Sequence, residues 1–101
     1  MKTYPTRHDK ELIQAISQLK GEKEITGFLR DLLTSAEIEE SSRRFQIAKL
    51  LWTTNLSYLK IAKKVGTSTT TVTRVGQWLS KEPWHGYSSV LQRIYGNSQR
   101  Y

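Results

Sequence analysis

The chain has 101 residues, a net charge of +7 and no cysteine. This length suits one domain, and the lack of cysteine rules out disulfides and thiolate metal sites. No run of residues approaches the ~18 apolar side chains that span a bilayer, and the polar start lacks the apolar segment of a signal peptide. We therefore predict a single domain over residues 1–101, located in the cytoplasm, with no membrane partner.

The spacing of apolar residues predicts an all-α fold of about six helices behind a flexible arm at residues 1–8. Three helices are expected within residues 10–53. The first starts at Lys10 and stops at Gly21, and the second follows at once as far as Leu33. A capping box of Thr34 and Glu37 opens the third helix.

The third helix carries apolar residues on more than one face, because Ile47 and Leu50 lie off its main stripe. Such a helix is typical of burial between several partners, as in an intertwined dimer. Residues 10–53 are therefore predicted to be dimerisation helices.

Residues 57–80 are predicted to form a helix-turn-helix, followed by a C-terminal helix within residues 87–96. Ser57 caps its first helix, and Gly66 occupies the turn, where a positive φ is expected. Ala62 is small where the two helices press together. The apolar contacts are assigned to Leu59, Ile61, Val65, Val72, Val75 and Leu79. A purely structural helical hairpin could carry the same pattern.

The positive charge is concentrated in residues 41–81, which carry eight Lys or Arg and no Asp or Glu. Solvated protein surfaces usually mix both signs, so this segment favours a polyanionic partner. A face of ordinary surface lysines is the alternative. A membrane surface would require a basic helix with a broad exposed apolar face.

The second helix of the motif begins with threonines, which are poor helix formers. Their hydroxyls and methyls suit phosphate oxygens, base edges and thymine methyls in the major groove. The alternative is that they only cap the helix or pack inside. The candidate DNA-binding residues are Ser68, Thr69, Thr70 and Thr73, with Lys60, Lys63 and Lys64 on flanking phosphates.

Catalytic and metal-binding patterns are lacking in the sequence. His8 and His85 have no second ligand at metal spacing, and the acidic residues at Glu37, Glu39 and Glu40 suit a helix start. We predict neither an enzyme nor a metal site. The three tryptophans, Trp52, Trp78 and Trp84, are expected in the core or at dimer contacts rather than as platforms for base stacking.

The segment from Leu32 to Pro83 resembles the tryptophan repressor superfamily, and especially its uncharacterised tryptophan-repressor-like branch. The resemblance is carried by LLT with its capping box and by GTSTTTVTR at residues 66–74. It implies an intertwined all-helical homodimer that places two recognition helices in successive major grooves. The two half-sites would then lie about one turn, ~34 Å, apart.

The resemblance also implies an effector pocket for L-tryptophan, with Thr34, Arg44 and Arg74 at the matching positions. Val75 and Trp78 stand where the family has Gly and a small Ser, so they add bulk where the indole would lie. We therefore predict that no cofactor is required and that the effector, if one exists, is unknown. A phosphate or surface contact is the alternative role for the two arginines.

The first helix of the motif departs from the family as well. Tyr58, Leu59 and Ala62 replace Gln, Arg and Lys, so the tryptophan operator is not expected to be the site. Tyr58 is a candidate DNA contact by its position. The sequence thus predicts a sequence-specific regulator of transcription, as a repressor that binds double-stranded DNA. The alternatives are a module that recruits transposition or replication machinery and a helical interaction protein with no DNA role.

Overall fold

The computed structural model describes residues 3–81 and 83–101, and within them it contains six α-helices and no β-strand. In chain order the helices are α1 (Arg7–Ser17), α2 (Gly21–Leu32), α3 (Ser35–Thr53), α4 (Tyr58–Val65), α5 (Thr69–Ser80) and α6 (Gly86–Tyr95). The predicted all-α class is confirmed. Over the described residues, no helix is both long enough and apolar enough to cross a membrane.

The chain divides into two compact units, where the sequence predicts one domain. The first unit extends to Ile38 and contains α1, α2 and the start of α3. The second unit, Glu39 to Tyr101, contains the remainder of α3 and the last three helices.

Helix α1 begins three residues earlier than the predicted Lys10, because the sequence carries a capping box there. The Asp9 backbone N–H donates to Thr6 Oγ1 at 3.2 Å, and the Thr6 N–H donates to Asp9 Oδ2 at 2.8 Å. These bonds satisfy N–H groups that would be unpaired at the helix start. Arg7 and His8 are therefore helical, and the predicted arm is shorter. Its residues 1 and 2 lie outside the described part of the chain.

Gly21 does not terminate α1, which ends four residues before it, at Ser17. With φ +76°, Gly21 is the first residue of α2. Neither α1 nor α2 has a buried residue, although both are amphipathic. Their apolar stripes are exposed in this single chain: Leu12, Ile13 and Ile16 on α1, and Ile25, Leu29 and Leu32 on α2.

The predicted capping box of α3 is present, with the Glu37 N–H donating to Thr34 Oγ1 at 3.1 Å. The Thr34 N–H donates in turn to Glu37 Oε1 at 2.9 Å. Further along α3, Ile47 is fully buried although it lies off the main apolar stripe. The core of the second unit is formed by Ile47, Ala48, Leu51, Trp52, Ile61, Ala62, Val72, Val75, Leu79 and Leu91.

Two expectations for this unit are corrected. Leu59 was predicted to contribute to the helix-turn-helix core, but 56% of its surface is exposed, since Ile61 and Ala62 form the inner face of α4. Helix α6 starts at Gly86, one residue before the predicted range 87–96, after His85 takes a left-handed conformation with φ 55°. Of the preceding loop, Glu82 lies outside the described residues. Trp52 is buried, whereas Trp78 and Trp84 are exposed.

Candidate nucleic-acid interface

The helix pair α4 and α5 is joined by a short turn at Gly66. Ser57 Oγ caps α4 by accepting from the Lys60 N–H at 3.2 Å. The N–H groups of Gly66 and Thr67 both donate to the Ala62 carbonyl at 2.9 Å, and Gly66 adopts φ 81°, ψ 47°. Ala62 is buried and α4 packs against α5, as the spacing of small residues predicts.

The start of α5 presents polar side chains to solvent. Ser68 is the N-cap, since its Oγ accepts from the Thr71 N–H at 3.2 Å. Thr69 and Thr70 are exposed, and their hydroxyls form no hydrogen bond within the described residues. The Thr73 hydroxyl donates to the Thr69 carbonyl at 2.9 Å and is also exposed. Capping is therefore performed by Ser68, which leaves the first two threonine side chains accessible.

The three lysines of α4 are exposed on the same helix pair. Lys60, Lys63 and Lys64 have no acidic partner in the part of the chain that the structure describes, where both ion pairs lie on α3. Unpaired cations of this kind attract a polyanion over about one Debye length.

Tyr58, the remaining predicted DNA contact, is 37% exposed at the start of α4. Its hydroxyl lies close to that of Tyr101, and the guanidinium of Arg100 lies 5.9 Å from its ring centroid. Burial, together with the contact to Tyr58, raises the pKa of Tyr101 to about 12. Tyr58 therefore contacts the C-terminal segment of its own chain.

The residues of the predicted effector pocket occupy different environments. Thr34 belongs to the first unit and caps α3. Arg44 is exposed, with Nε 3.8 Å from Glu40 Oε1, and Arg74 is exposed on α5. Val75 is 1% exposed within the core, and Trp78 is 50% exposed. The tryptophan role of these residues stays a prediction.

Two features of the second unit were not anticipated from sequence. One is a groove of about 530 Å³ lined by Glu39, Ser42, Arg43, Gln46, Lys49, Leu50, Lys64 and Val65. The other is the C-terminal segment Gly96–Tyr101, which contacts α3, α4 and the loop between them. Arg100 and Tyr101, which follow the helix stop at Gly96, are the only sequence signal that this segment could make contacts. No periodicity indicates where an irregular segment packs.

The described residues contain no cluster of three or more His, Cys, Asp or Glu that could hold a metal ion.

Comparison with known proteins places this helix pair in a wider context. The sequence profile of the family described as Trp repressor protein matches residues 7–95. The uncharacterised protein YerC of Bacillus subtilis (strain 168) is 36% identical over 84 residues, which cover 83% of this chain and 79% of YerC.

Two crystal structures are similar along nearly the whole chain. A TrpR-like protein from Eubacterium eligens ATCC 27750 superposes with a TM-score of 0.78 at 38% identity, covering 89% of this chain and 91% of that one. A candidate Trp repressor from Staphylococcus aureus gives 0.80 at 31% identity, covering 92% and 91%. The resemblance to tryptophan repressors that the LLT and GTSTTTVTR motifs indicate is thereby confirmed, and the chain belongs to the Trp repressor family.

Proposed function

We propose that this protein is a sequence-specific regulator of transcription that binds double-stranded DNA as a homodimer, acting in the cytoplasm as a repressor. The family supports a helical DNA-binding regulator of a generally non-enzymatic kind. The observation that carries the proposal is the accessible start of α5. Thr69, Thr70 and Thr73 are exposed there, on a helix pair with three unpaired lysines.

The chemistry of this surface suits a major groove. The two free hydroxyls can donate to or accept from base edges and phosphates, and the threonine methyls can contact thymine. Ser68 supports the same helix end by capping it, which is a positioning role. The lysines supply a sequence-independent attraction to phosphates.

The dimer is supported by the first unit. Its two helices expose apolar stripes and bury no residue, so they lack a core of their own. An exposed apolar stripe on each of two helices favours an interaction site, and a second copy of the chain would cover it. A dimer would also present two copies of α5, as reading a two-fold-symmetric operator requires.

We further propose that DNA binding does not require L-tryptophan. Val75 and Trp78 are larger than the Gly and Ser that the family places at these positions, and the first of them fills core space. Calorimetric titration with L-tryptophan is expected to give no stoichiometric binding at micromolar concentration. Such binding would overturn this part of the proposal and assign Arg44 and Arg74 to the ligand.

Selection of bound sequences from a random DNA pool tests the main proposal. We expect a two-fold-symmetric consensus with half-sites about 10 base pairs apart. Substituting Thr69 and Thr70 together by Ala should weaken binding to that consensus by about tenfold or more, since base contacts are worth roughly 1–3 kcal/mol each. Ser89→Ala on α6, where Ser89 is also exposed, is the matched control.

The outcomes separate the rival functions. Recovery of no consensus, with an affinity that is insensitive to salt, would favour a helical interaction protein without a DNA role. A stable monomer that binds an asymmetric site would favour a module that recruits transposition or replication machinery.

A further inference from the structure

The segment Gly96–Tyr101, which we call the C-terminal strap, is hydrogen-bonded to the end of α3. Trp52 Nε1 donates to the Gly96 carbonyl at 2.8 Å, and the Gln99 N–H donates to the Trp52 carbonyl at 2.8 Å. Trp52 is itself part of the core. The strap is therefore attached to the rigid part of the second unit at two backbone positions.

Arg100 connects the strap to the loop between α3 and α4. Its Nη2 donates to the Thr54 carbonyl at 3.0 Å and to the Leu56 carbonyl at 2.6 Å. This loop has no regular secondary structure, and it sets the direction in which α4 leaves α3. Hydrogen bonds from a charged donor are stronger than neutral ones, and a guanidinium stays charged at any ordinary pH.

Tyr101 connects the strap to α4 and α5. Its hydroxyl and that of Tyr58, at the start of α4, lie close to each other beside Gly76. A Cβ built on Gly76, in the middle of α5, would lie 2.7 Å from the Tyr58 hydroxyl oxygen and 3.7 Å from that of Tyr101. Gly76 is therefore required for the close approach of Tyr58, and the two tyrosines together with Gly76 link the strap to the recognition helix.

We propose that the C-terminal strap is a positioning segment that holds α4 and α5 in one orientation on the α3 core, and that DNA affinity depends on it. Arg100 and Tyr101 act through Tyr58 and the α3–α4 loop, so they need not touch DNA themselves. The expected effect of the strap on DNA affinity rests on the proposed function. It concerns residues beyond the family match, which ends at residue 95.

The primary experiment compares Arg100→Gln with Arg93→Gln in the full chain. Both substitutions remove one positive charge from the C-terminal region, and Arg93 is exposed on α6. Amide hydrogen exchange over residues 54–65 should accelerate about tenfold in Arg100→Gln, because the variant loses the charged donor to the Thr54 and Leu56 carbonyls. Exchange in α1 and α2 should not change. Arg93→Gln should behave as the parent chain does.

DNA affinity for the selected consensus is the second readout. Arg100→Gln should bind about tenfold more weakly than Arg93→Gln, with an unchanged oligomeric state, and Arg100→Lys should recover part of the loss because it retains a charged donor. Equal exchange and equal affinity in the two Gln variants would overturn the proposal. If the parent chain binds no DNA, the proposed function fails, and exchange over residues 54–65 alone decides whether the strap positions α4.

Gly76→Ala gives an independent test of the tyrosine link. The added methyl should displace Tyr58 and accelerate exchange over residues 58–65, whereas Gly86→Ala, with open space around its Cβ position, should not. Adding Tyr58→Phe removes the oxygen at 2.7 Å and leaves the ring carbon at 3.4 Å, so it should restore part of the protection. Failure of Gly76→Ala to change exchange in α4 would contradict the link.

Discussion

At Gly66 the backbone requirement can be separated from the packing requirement. The residue adopts φ 81°, and no atom lies within 4 Å of its ideal Cβ position. Any penalty for a side chain there comes from the left-handed conformation alone. The turn between α4 and α5 therefore selects Gly for its backbone.

Gly66→Ala should lower the free energy of unfolding by roughly 1–2 kcal/mol, the cost of a left-handed conformation for a residue with a Cβ. Gly27→Ala, in the interior of α2 with open space at its Cβ, is the control. It should be neutral or stabilise by roughly 0.5–1 kcal/mol, because Ala favours the helix more than Gly does. Denaturant unfolding of the two variants measures the contrast, and equal effects would contradict it.

Glu37 couples the start of α3 to pH. The hydrogen bond that the Thr34 backbone N–H donates to the carboxylate, together with the nearby Thr34 hydroxyl, lowers the pKa of the Glu37 carboxyl below its ordinary value. The folded state therefore favours the ionised carboxylate. This stabilisation is fully present above the ordinary pKa of Glu and is lost as the pH falls through the lowered folded value.

The titration of this carboxyl, followed by NMR, should show a midpoint below that of an unstructured glutamate. Glu37→Gln can still accept the Thr34 N–H but does not titrate, so it should remove the corresponding pH dependence from the helicity of α3. An ordinary midpoint in the folded protein would show that the capping box does not favour the ionised form.

At the scale of the elements, helix α5 depends on its surroundings for its helical state. Its first residues are threonines, which have low helix propensity, so the Ser68 cap and the buried face of Val72, Val75 and Leu79 must stabilise it. That arrangement leaves the threonine side chains on the outside. Helix α4 contributes charge on its exposed side and the core residues Ile61 and Ala62 on the other.

Replacing Lys60, Lys63 and Lys64 by Gln should weaken DNA binding at all sequences to a similar extent. The slope of log affinity against log salt should fall by about one for each lysine that neutralises a phosphate. Lys23→Gln on α2 is the control for each single charge, because it removes one positive charge from the first unit. An unchanged slope in the triple variant would place the phosphate contacts elsewhere.

At the scale of the whole molecule, the two units differ in what stabilises them. The second unit has a core drawn from α3, α4, α5 and α6. The first unit has two amphipathic helices without a buried residue, and two short helices are marginal in water on their own. We expect this unit to depend on association with a second copy of the chain.

Leu29→Glu should therefore shift the protein from dimer to monomer in sedimentation experiments and reduce the helicity of α1 and α2. The melting temperature of the parent chain should rise with concentration, as for an association-coupled equilibrium. Leu59→Glu, at an exposed position of α4, should leave the assembly unchanged. A parent chain that remains monomeric with intact α1 and α2 would contradict the dimer.

The local features of this protein were determined by sequence alone. The helix-turn-helix, its Gly66 turn and the Thr34–Glu37 capping box depend on residues close together in the chain. Such features can be predicted from apolar periodicity and capping residues. The start of α1 is also determined locally, by Thr6 and Asp9, but it cannot be found from apolar spacing alone.

The tertiary structure alone decided which side chains of α4 contact other segments and which stay exposed to solvent. Tyr58 and Leu59 are neighbours on α4, yet Tyr58 contacts Arg100 of the C-terminal strap, whereas Leu59 is 56% exposed. The strap contacts Trp52, Thr54 and Leu56, which lie more than 40 positions earlier in the chain. Such contacts depend on how separate helices pack in three dimensions, and irregular segments carry no repeating pattern that would reveal them.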